Sequence, residues 1–194
     1  FTENSKYKPN SPYSASKAGS DHLVRAWQET YGLPCIITCC SNNFGPFQHP
    51  EKFIPVVIIN GILKNKIPIY GKGKNIRDWI YVEDHVEALI SIMEKNLKNK
   101  TYVIGSNNEK ENIETVDTIC KILDDIWDKS YSHQRLKLFV KDRLGHDFRY
   151  SINSELIKKD INWKPKNDFL SGVEKTVNWY LMNRNWWLDL GHSK

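Results

Sequence analysis

Ser11-Pro12-Tyr13-Ser14-Ala15-Ser16-Lys17, followed by Cys35-Ile36-Ile37-Thr38-Cys39-Cys40, decides the fold of this chain. Ser11 can accept a free backbone N–H at the start of a helix, and Pro12 suits the first helical position, where no donor is needed. Ala18, Val24, Trp27 and Tyr31 carry the helix on, and Gly32 with Pro34 ends it. The Cys35–Cys40 run is apolar and of strand length, the pattern of a parallel strand covered on both faces.

Working outward, Asn42-Asn43-Phe44-Gly45-Pro46 reads as a turn and Phe53 to Leu63 as a helix apolar almost all round, with Pro55 in its first turn. Ile67 to Tyr70 is a short strand, Gly71 and Gly73 make a turn, and a further strand ends at Trp79-Ile80-Tyr81. Asp84 is placed to cap a helix whose Val86, Leu89, Ile90 and Met93 form an apolar stripe. Thr101 to Ile104 predicts a strand, and Asn112 can cap a helix holding Ile113, Val116, Cys120, Leu123 and Trp127. Leu136, Leu138 and Val140 alternate as a strand, and helices near Ser154–Lys159 and Phe169–Met182 close the chain. Strands alternating with helices give an α/β class.

Composition narrows the function. Forty per cent hydrophobic and 26% charged residues in 194 mark a globular chain rather than a disordered one. No apolar run approaches the ~18 residues of a membrane span, and the polar opening from Phe1 to Ser11 does not read as a signal peptide. The net charge of +5 is spread along the chain, which suits a solvated surface with some preference for anions and shows no nucleic-acid module. Cys35, Cys39, Cys40 and Cys120 fit neither zinc knuckles nor a disulfide ladder, so buried reduced thiols and a cytoplasmic setting are expected. His22 and His85 lack metal-ligand spacing, and no metal is assigned. The absence of an initiating methionine hints at a processed or truncated protein.

Tyr13 and Lys17 carry the chemistry. Four residues apart on a helix they share a face, and a nearby ammonium favours the phenolate, which suits the tyrosine to act as a general base. Spacing alone does not single them out, because Tyr70 and Lys74 repeat it; Gly71 and Gly73 turn that second pair into a loop.

The Ser11–Lys17 string resembles the active-site helix of extended short-chain dehydrogenases, and Arg77-Asp78-Trp79-Ile80-Tyr81-Val82-Glu83-Asp84 resembles a segment they share downstream. Ser20–Ala26, Cys40–Pro46, Pro50–Pro55, Asp142–Asp147 and Asn185-Trp186-Trp187 are similar to the dTDP-glucose 4,6-dehydratase branch of that family, in the family's order and over nearly the whole chain. The resemblance implies the C-terminal part of an NAD-binding Rossmann fold with a smaller α/β substrate domain, residues 1–44 and 78–105 belonging to the former and 45–77 and 106–194 to the latter. It implies NAD as cofactor, a dTDP-sugar as substrate, and a homodimer formed through the Tyr13–Lys17 helix. Tyr13 would take the proton from the sugar 4-hydroxyl, Lys17 would hold the nicotinamide ribose, and Asn43 would also contact the cofactor. Asn42, Lys52, Phe53, Pro68, Ile69 and Tyr70 would line the substrate pocket, and Arg77, Asn112, Asp142, Arg143 and His146 would hold its diphosphate and nucleoside. Taken singly these residues have ordinary readings: Arg77 a surface ion pair with Asp78, Asn112 a helix cap, His146 a turn residue. Trp186-Trp187 reads as packing or a staple at the chain end.

Two family features are missing. The glycine-rich turn that brings a pyrophosphate to a helix N-terminus is absent, since Gly71-x-Gly73 opens no helix. The Thr-Asp-Glu segment, whose acidic pair removes water across C5 and C6 of the sugar in the family, is absent too. The chain is therefore expected to be a fragment that binds NAD poorly, does not complete the dehydration alone, and exposes apolar surface around Cys35 to Cys40. Related sugar-nucleotide enzymes (UDP-glucuronate decarboxylases, GDP-mannose 4,6-dehydratases, epimerases) and a non-catalytic binding remnant are the competing readings.

Overall fold

A computed structural model describes residues 1–95, 97 and 100–190. In chain order the elements are α1 (Pro12–Tyr31), β1 (Ile37–Cys40), β2 (Asn42–Phe44), α2 (Phe53–Ile62), β3 (Ile67–Tyr70), β4 (Ile76–Tyr81), α3 (Val82–Glu94) and β5 (Thr101–Ile104). Then come β6 (Glu109–Glu111), α4 (Asn112–Ile126), a 3-10 turn (His133–Leu136), β7 (Lys137–Val140), β8 (Arg149–Tyr150), α5 (Glu155–Ile161), α6 (Phe169–Met182) and α7 (Arg184–Asp189). The α/β class holds, with parallel pairs β1–β5, β2–β4 and β3–β7.

Helix α1 forms as its sequence dictates. Ser11 Oγ accepts the Ser14 N–H while Ser14 Oγ accepts the Ser11 N–H, a reciprocal cap, and Gly32 at φ 66° donates back to the Gln28 carbonyl. Cover on both faces of Cys35–Cys40 is not found, and the exposure also expected there is seen in part. Thr38 is exposed, the thiols of Cys35, Cys39 and Cys40 are only half-buried, and Cys120 alone among the four is buried. Burial on both faces needs neighbours on both sides. Among the described residues β1 is hydrogen-bonded to β5 only, and α1 turns a single buried side chain, Ala18, inward.

Strand β4 is the hub. It takes β2 in parallel (Asn42 beside Trp79, Phe44 beside Tyr81), and β6 and β8 at Ile76 to Asp78. Asn42 to Phe44, expected as a turn, is therefore a strand, because β4 supplies the partner that a local reading cannot see. Two apolar clusters flank this hub. The larger joins α2, α4, α6 and Trp187 of α7 with Phe44, Trp79 and Tyr81. The smaller joins Ile80, Ala88, Ile92, Tyr102 and Ile104 with Ile157 and Trp163.

Several local expectations are corrected by these contacts. Helix α3 starts behind Tyr81, and Asp84 sits inside its first turn, buried. Its carboxylate accepts the backbone N–H of Lys166 and Asn167 and the Asn167 amide, so it anchors a distant loop instead of capping. The buried side of α3 is Asp84, Ala88 and Ile92, while Val86, Ile90 and Met93 are exposed. Asn112 is likewise not the cap of α4. Glu111 takes that place, with Glu114 accepting its backbone N–H in return. Leu136 is buried in the 3-10 turn, but Leu138 and Phe139 are exposed on β7, whose one described partner is β3. Helix α7, absent from the sequence reading, buries Trp187 and ties its indole N–H to the Tyr180 carbonyl, the staple expected of the tryptophan pair.

Candidate active site

Helix α1 presents Tyr13, 74% exposed, and Lys17 on the side that opens into a cavity of about 750 Å³. Cys40, Asn42, Arg77 and Tyr150 line the same cavity. Strand β1 delivers Cys40 to its floor, where burial pushes the thiol above its ordinary pKa against the pull of the Asn43 amide and the Lys17 charge. Tyr150 closes the floor by donating from its hydroxyl to the Cys40 carbonyl at 3.3 Å. On the other wall, Tyr7 donates to Asp21 of α1 at 2.8 Å, and burial together with that carboxylate raises the phenol's pKa.

Strand β2 opens with two asparagines whose side-chain oxygens are buried and unpaired. The Asn43 amide donates to the Ser41 carbonyl, and Gln48 donates from Nε2 to the Asn43 carbonyl at 2.8 Å while its own Oε1 stays unpaired. The loop between β2 and α2 is pinned from far along the chain. Phe47 adopts φ 60°, an uncommon state for a residue with a side chain, and its ring packs 4.6 Å from Trp179 and edge-on to Trp186. The Tyr180 hydroxyl donates to the Gln48 carbonyl. The loop delivers Lys52 as the N-cap residue of α2 and Phe53 stacked on Trp79, centroids 6.0 Å apart.

A second group gathers at the turn after β3. Arg143 lies with its guanidinium carbon 5.1 Å from the Tyr70 ring centre, and His146 meets the same ring edge-on. Arg77 of β4 donates to the Ile76 and Asp147 carbonyls, and its pKa is lowered by burial and by the Arg143 charge, partly offset by Asp147. Neither arginine has a carboxylate partner among the described ion pairs, an arrangement that leaves cationic forks for an anion.

The structure thus brings Tyr13, Lys17, Asn42 and Arg77 onto one cavity, and Tyr70, Asp142, Arg143 and His146 into mutual contact. Asn43, Lys52, Phe53, Pro68, Ile69 and Asn112 do not line that cavity. Ile69 belongs to the larger core cluster, which leaves its backbone as the part able to meet a ligand. Asn112 is buried beside the Gly73 turn, its N–H bonded to the Asn75 carbonyl. Tyr7, Gln48 and Tyr150 were not anticipated. Each acts through a partner distant in sequence or through a loop of no regular period, and no spacing rule signals that.

The comparisons with known proteins follow this geometry. Residues 1–176 match the family model described as GDP-mannose 4,6 dehydratase. A dTDP-glucose 4,6-dehydratase of Shigella flexneri is 55% identical over 186 residues, covering 96% of this chain and 52% of the relative. The crystal structure of a dTDP-glucose 4,6-dehydratase from Bacillus anthracis in complex with NAD superposes with a TM-score of 0.90 at 43% identity, covering 98% of this chain and 58% of that one. A dTDP-glucose 4,6-dehydratase from Streptomyces venezuelae, also with NAD bound, gives 0.91 at 39% identity over 98% of this chain and 57% of its own. The chain spans about half the length of the curated relatives it matches. Its fold, its tyrosine–lysine helix and the match over most of its length agree: the chain belongs to the GDP-mannose 4,6 dehydratase family.

Proposed function

We propose that this chain supplies the catalytic tyrosine and the sugar-nucleotide side of an NAD-dependent dTDP-glucose 4,6-dehydratase. The observation that carries the reading is the placement of Tyr13 and Lys17 on the same cavity as Asn42 and Arg77. In this mechanism Tyr13 Oη takes the proton of the sugar C4 hydroxyl, and the Lys17 ammonium stabilises the phenolate. Arg77 and Arg143 hold the diphosphate, a role supported by neither making an ion pair among the described residues, and Tyr70 and Phe53 offer aromatic faces to the nucleoside. The residues fit NAD at its nicotinamide end, since the unpaired oxygen of Asn42, which lines the cavity, can accept from hydroxyl or carboxamide donors, with Asn43 beside it on β2. NAD would supply the hydride acceptor for C4 and, once reduced, the hydride donor for C6 after water is lost between C5 and C6. We infer that the 194-residue chain alone is inactive, because it carries no glycine-rich phosphate turn and no acidic pair for the elimination.

The smaller core cluster supports a cofactor-side unit with α5 packed on it, while the larger, centred on α2, α4 and α6, supports a sugar-nucleotide unit and takes in Phe44, Trp79 and Tyr81 from across the expected boundary. The exposed Leu23, Trp27 and Tyr31 of α1 support a homodimer through that helix, and the unpaired thiols support a reducing cytoplasm. The family model's own description favours a second reading, a GDP-sugar substrate. Competition among dTDP-, UDP- and GDP-sugars for binding decides between them. Tyr13→Phe in the full-length enzyme should cut C4 oxidation by ~10²–10⁴-fold while leaving dTDP-sugar affinity unchanged. Loss of binding instead would make Tyr13 structural and sink the catalytic assignment.

A further inference from the structure

We propose that Asp142 is a positioning residue: through His146 it orients the Arg143 guanidinium for a phosphate of the nucleotide, an inference that rests on the function proposed above. His146 Nδ1 lies 2.7 Å from Asp142 Oδ1, and its Nε2 lies 3.1 Å from Arg143 Nη2. Connectivity dictates the proton positions. A guanidinium only donates, so Nε2 must accept; an ionised carboxylate only accepts, so Nδ1 must carry the proton. The pair of bonds is satisfied by one species, the neutral Nδ1–H tautomer.

The other contacts fix this relay in space. The His146 side chain is 7% exposed and lies edge-on to Tyr70 of β3, over which Arg143 also lies. Asp142 Oδ1 additionally accepts the Arg143 backbone N–H at 2.8 Å, and these two bonds hold its carboxyl below the usual range. Gly71 sits beneath the carboxylate at φ 58°, where an added Cβ would stand 3.1 Å from Asp142 Oδ2. The charged groups facing the relay are Arg77 of β4 and Asp147 of the same turn. A carboxylate beside two phosphate-seeking arginines is unfavourable as a ligand contact, since it repels the anion. As the acceptor that selects one histidine tautomer, it has a use that outweighs the repulsion, much as outer carboxylates orient metal-bound histidines.

The sign of one substitution separates the two roles. If Asp142 only repels the anion, Asp142→Ala tightens dTDP binding; if it positions Arg143, the same change weakens it by ~10-fold. Asp142→Asn keeps an acceptor for Nδ1–H and should stay within ~3-fold of the parent protein. His146→Ala should lose the same factor as Asp142→Ala, and the double variant should be no weaker than His146→Ala alone. Calorimetric titration with dTDP reads all four. The ¹⁵N shifts of the His146 imidazole read the tautomer directly, whatever the loop does to affinity, and should show Nδ1–H in the parent protein and a mixture in Asp142→Ala. Tighter binding by Asp142→Ala, multiplying penalties in the double variant, or an unchanged tautomer overturns the relay. Failure of the parent protein to bind dTDP overturns the proposed nucleotide, and with it the phosphate role, even where the imidazole shifts hold.

Discussion

Asp78 of β4 shows how a single buried charge sits in this fold. It is fully buried, and its Oδ1 accepts the Asn108 N–H at 2.8 Å and the Ser106 hydroxyl at 3.1 Å, while Oδ2 has no partner. Burial raises its pKa, and the bonds from Asn108 and Ser106 only partly counter this. A carboxyl raised in the folded state stabilises most when protonated, below its unfolded value near ~4, and loses that contribution as pH rises through its folded value. Asp78→Asn keeps an oxygen for both donors and removes the buried charge. Its Tm at pH 7 should equal or exceed that of the parent chain, with the difference shrinking toward pH ~4; a lower Tm at pH 7 would show that the charge itself is needed. The sequence offered Asp78 only as a surface partner for Arg77. Its burial arises from Ser106 and Asn108, which reach it from beyond the next helix.

At the level of elements, close approach explains which segments hold the site. Gly61 of α2 faces α4 so tightly that an added Cβ would lie 2.3 Å from Leu123 Cδ1, and one at Gly172 of α6 would lie 2.9 Å from the Phe44 ring. The first contact seats α2 on α4, and the second presses α6 onto β2, the strand that carries Asn42 and Asn43. Gly61→Ala should destabilise by about 1–3 kcal/mol through overpacking, read as a fall in the urea midpoint without a change in slope. Helix α7 contributes Trp187, fully buried, and Trp186 against Phe47. Trp187→Ala should cost about 3–5 kcal/mol. Because α7 and α6 also hold the Phe47–Gln48 loop, the same substitution should weaken sugar-nucleotide binding; a stability loss with affinity unchanged would mean that the loop orders itself. Helix α1, β3, β5 and α6 were legible from caps, turn glycines and apolar runs. The α3 stripe was not, because Val86, Ile90 and Met93 repeat on one face as regularly as Asp84, Ala88 and Ile92 do on another, and only packing chooses between them.

For the whole molecule, surface carboxylates set the response to acid, and the exposed face of α1 is where the proposed homodimer is tested. Asp128 is held at about 2 by bonds from Ser130 and Lys64. Asp160, Glu109 and Asp168 are likewise lowered, through Lys100, Arg149 and the Ser171 backbone respectively. Groups depressed in the folded state stabilise it above their unfolded pKa and lose that contribution as pH falls, so Tm should drop between pH ~4 and ~2. Asp128→Asn should flatten part of that fall; a Tm indifferent to acid would mean that these pairs contribute nothing. Trp27→Glu on the exposed face of α1 should convert the proposed homodimer to a monomer in sedimentation velocity, and a dimer mass retained by the variant would move the interface elsewhere. What the sequence determined by itself was local. The capped tyrosine–lysine helix, the Gly71 and Gly73 turn and the strands β3 and β5 follow from interactions among residues a few positions apart. Tertiary structure alone decided the seating of Asp84 under Lys166 and Asn167, the pinning of Gln48 by Tyr180, and the packing of Arg143 over Tyr70 with His146 edge-on to the same ring. In each of these the deciding partner lies tens of residues away, and burial and hydrogen-bond satisfaction are properties of the packed chain rather than of any window along it.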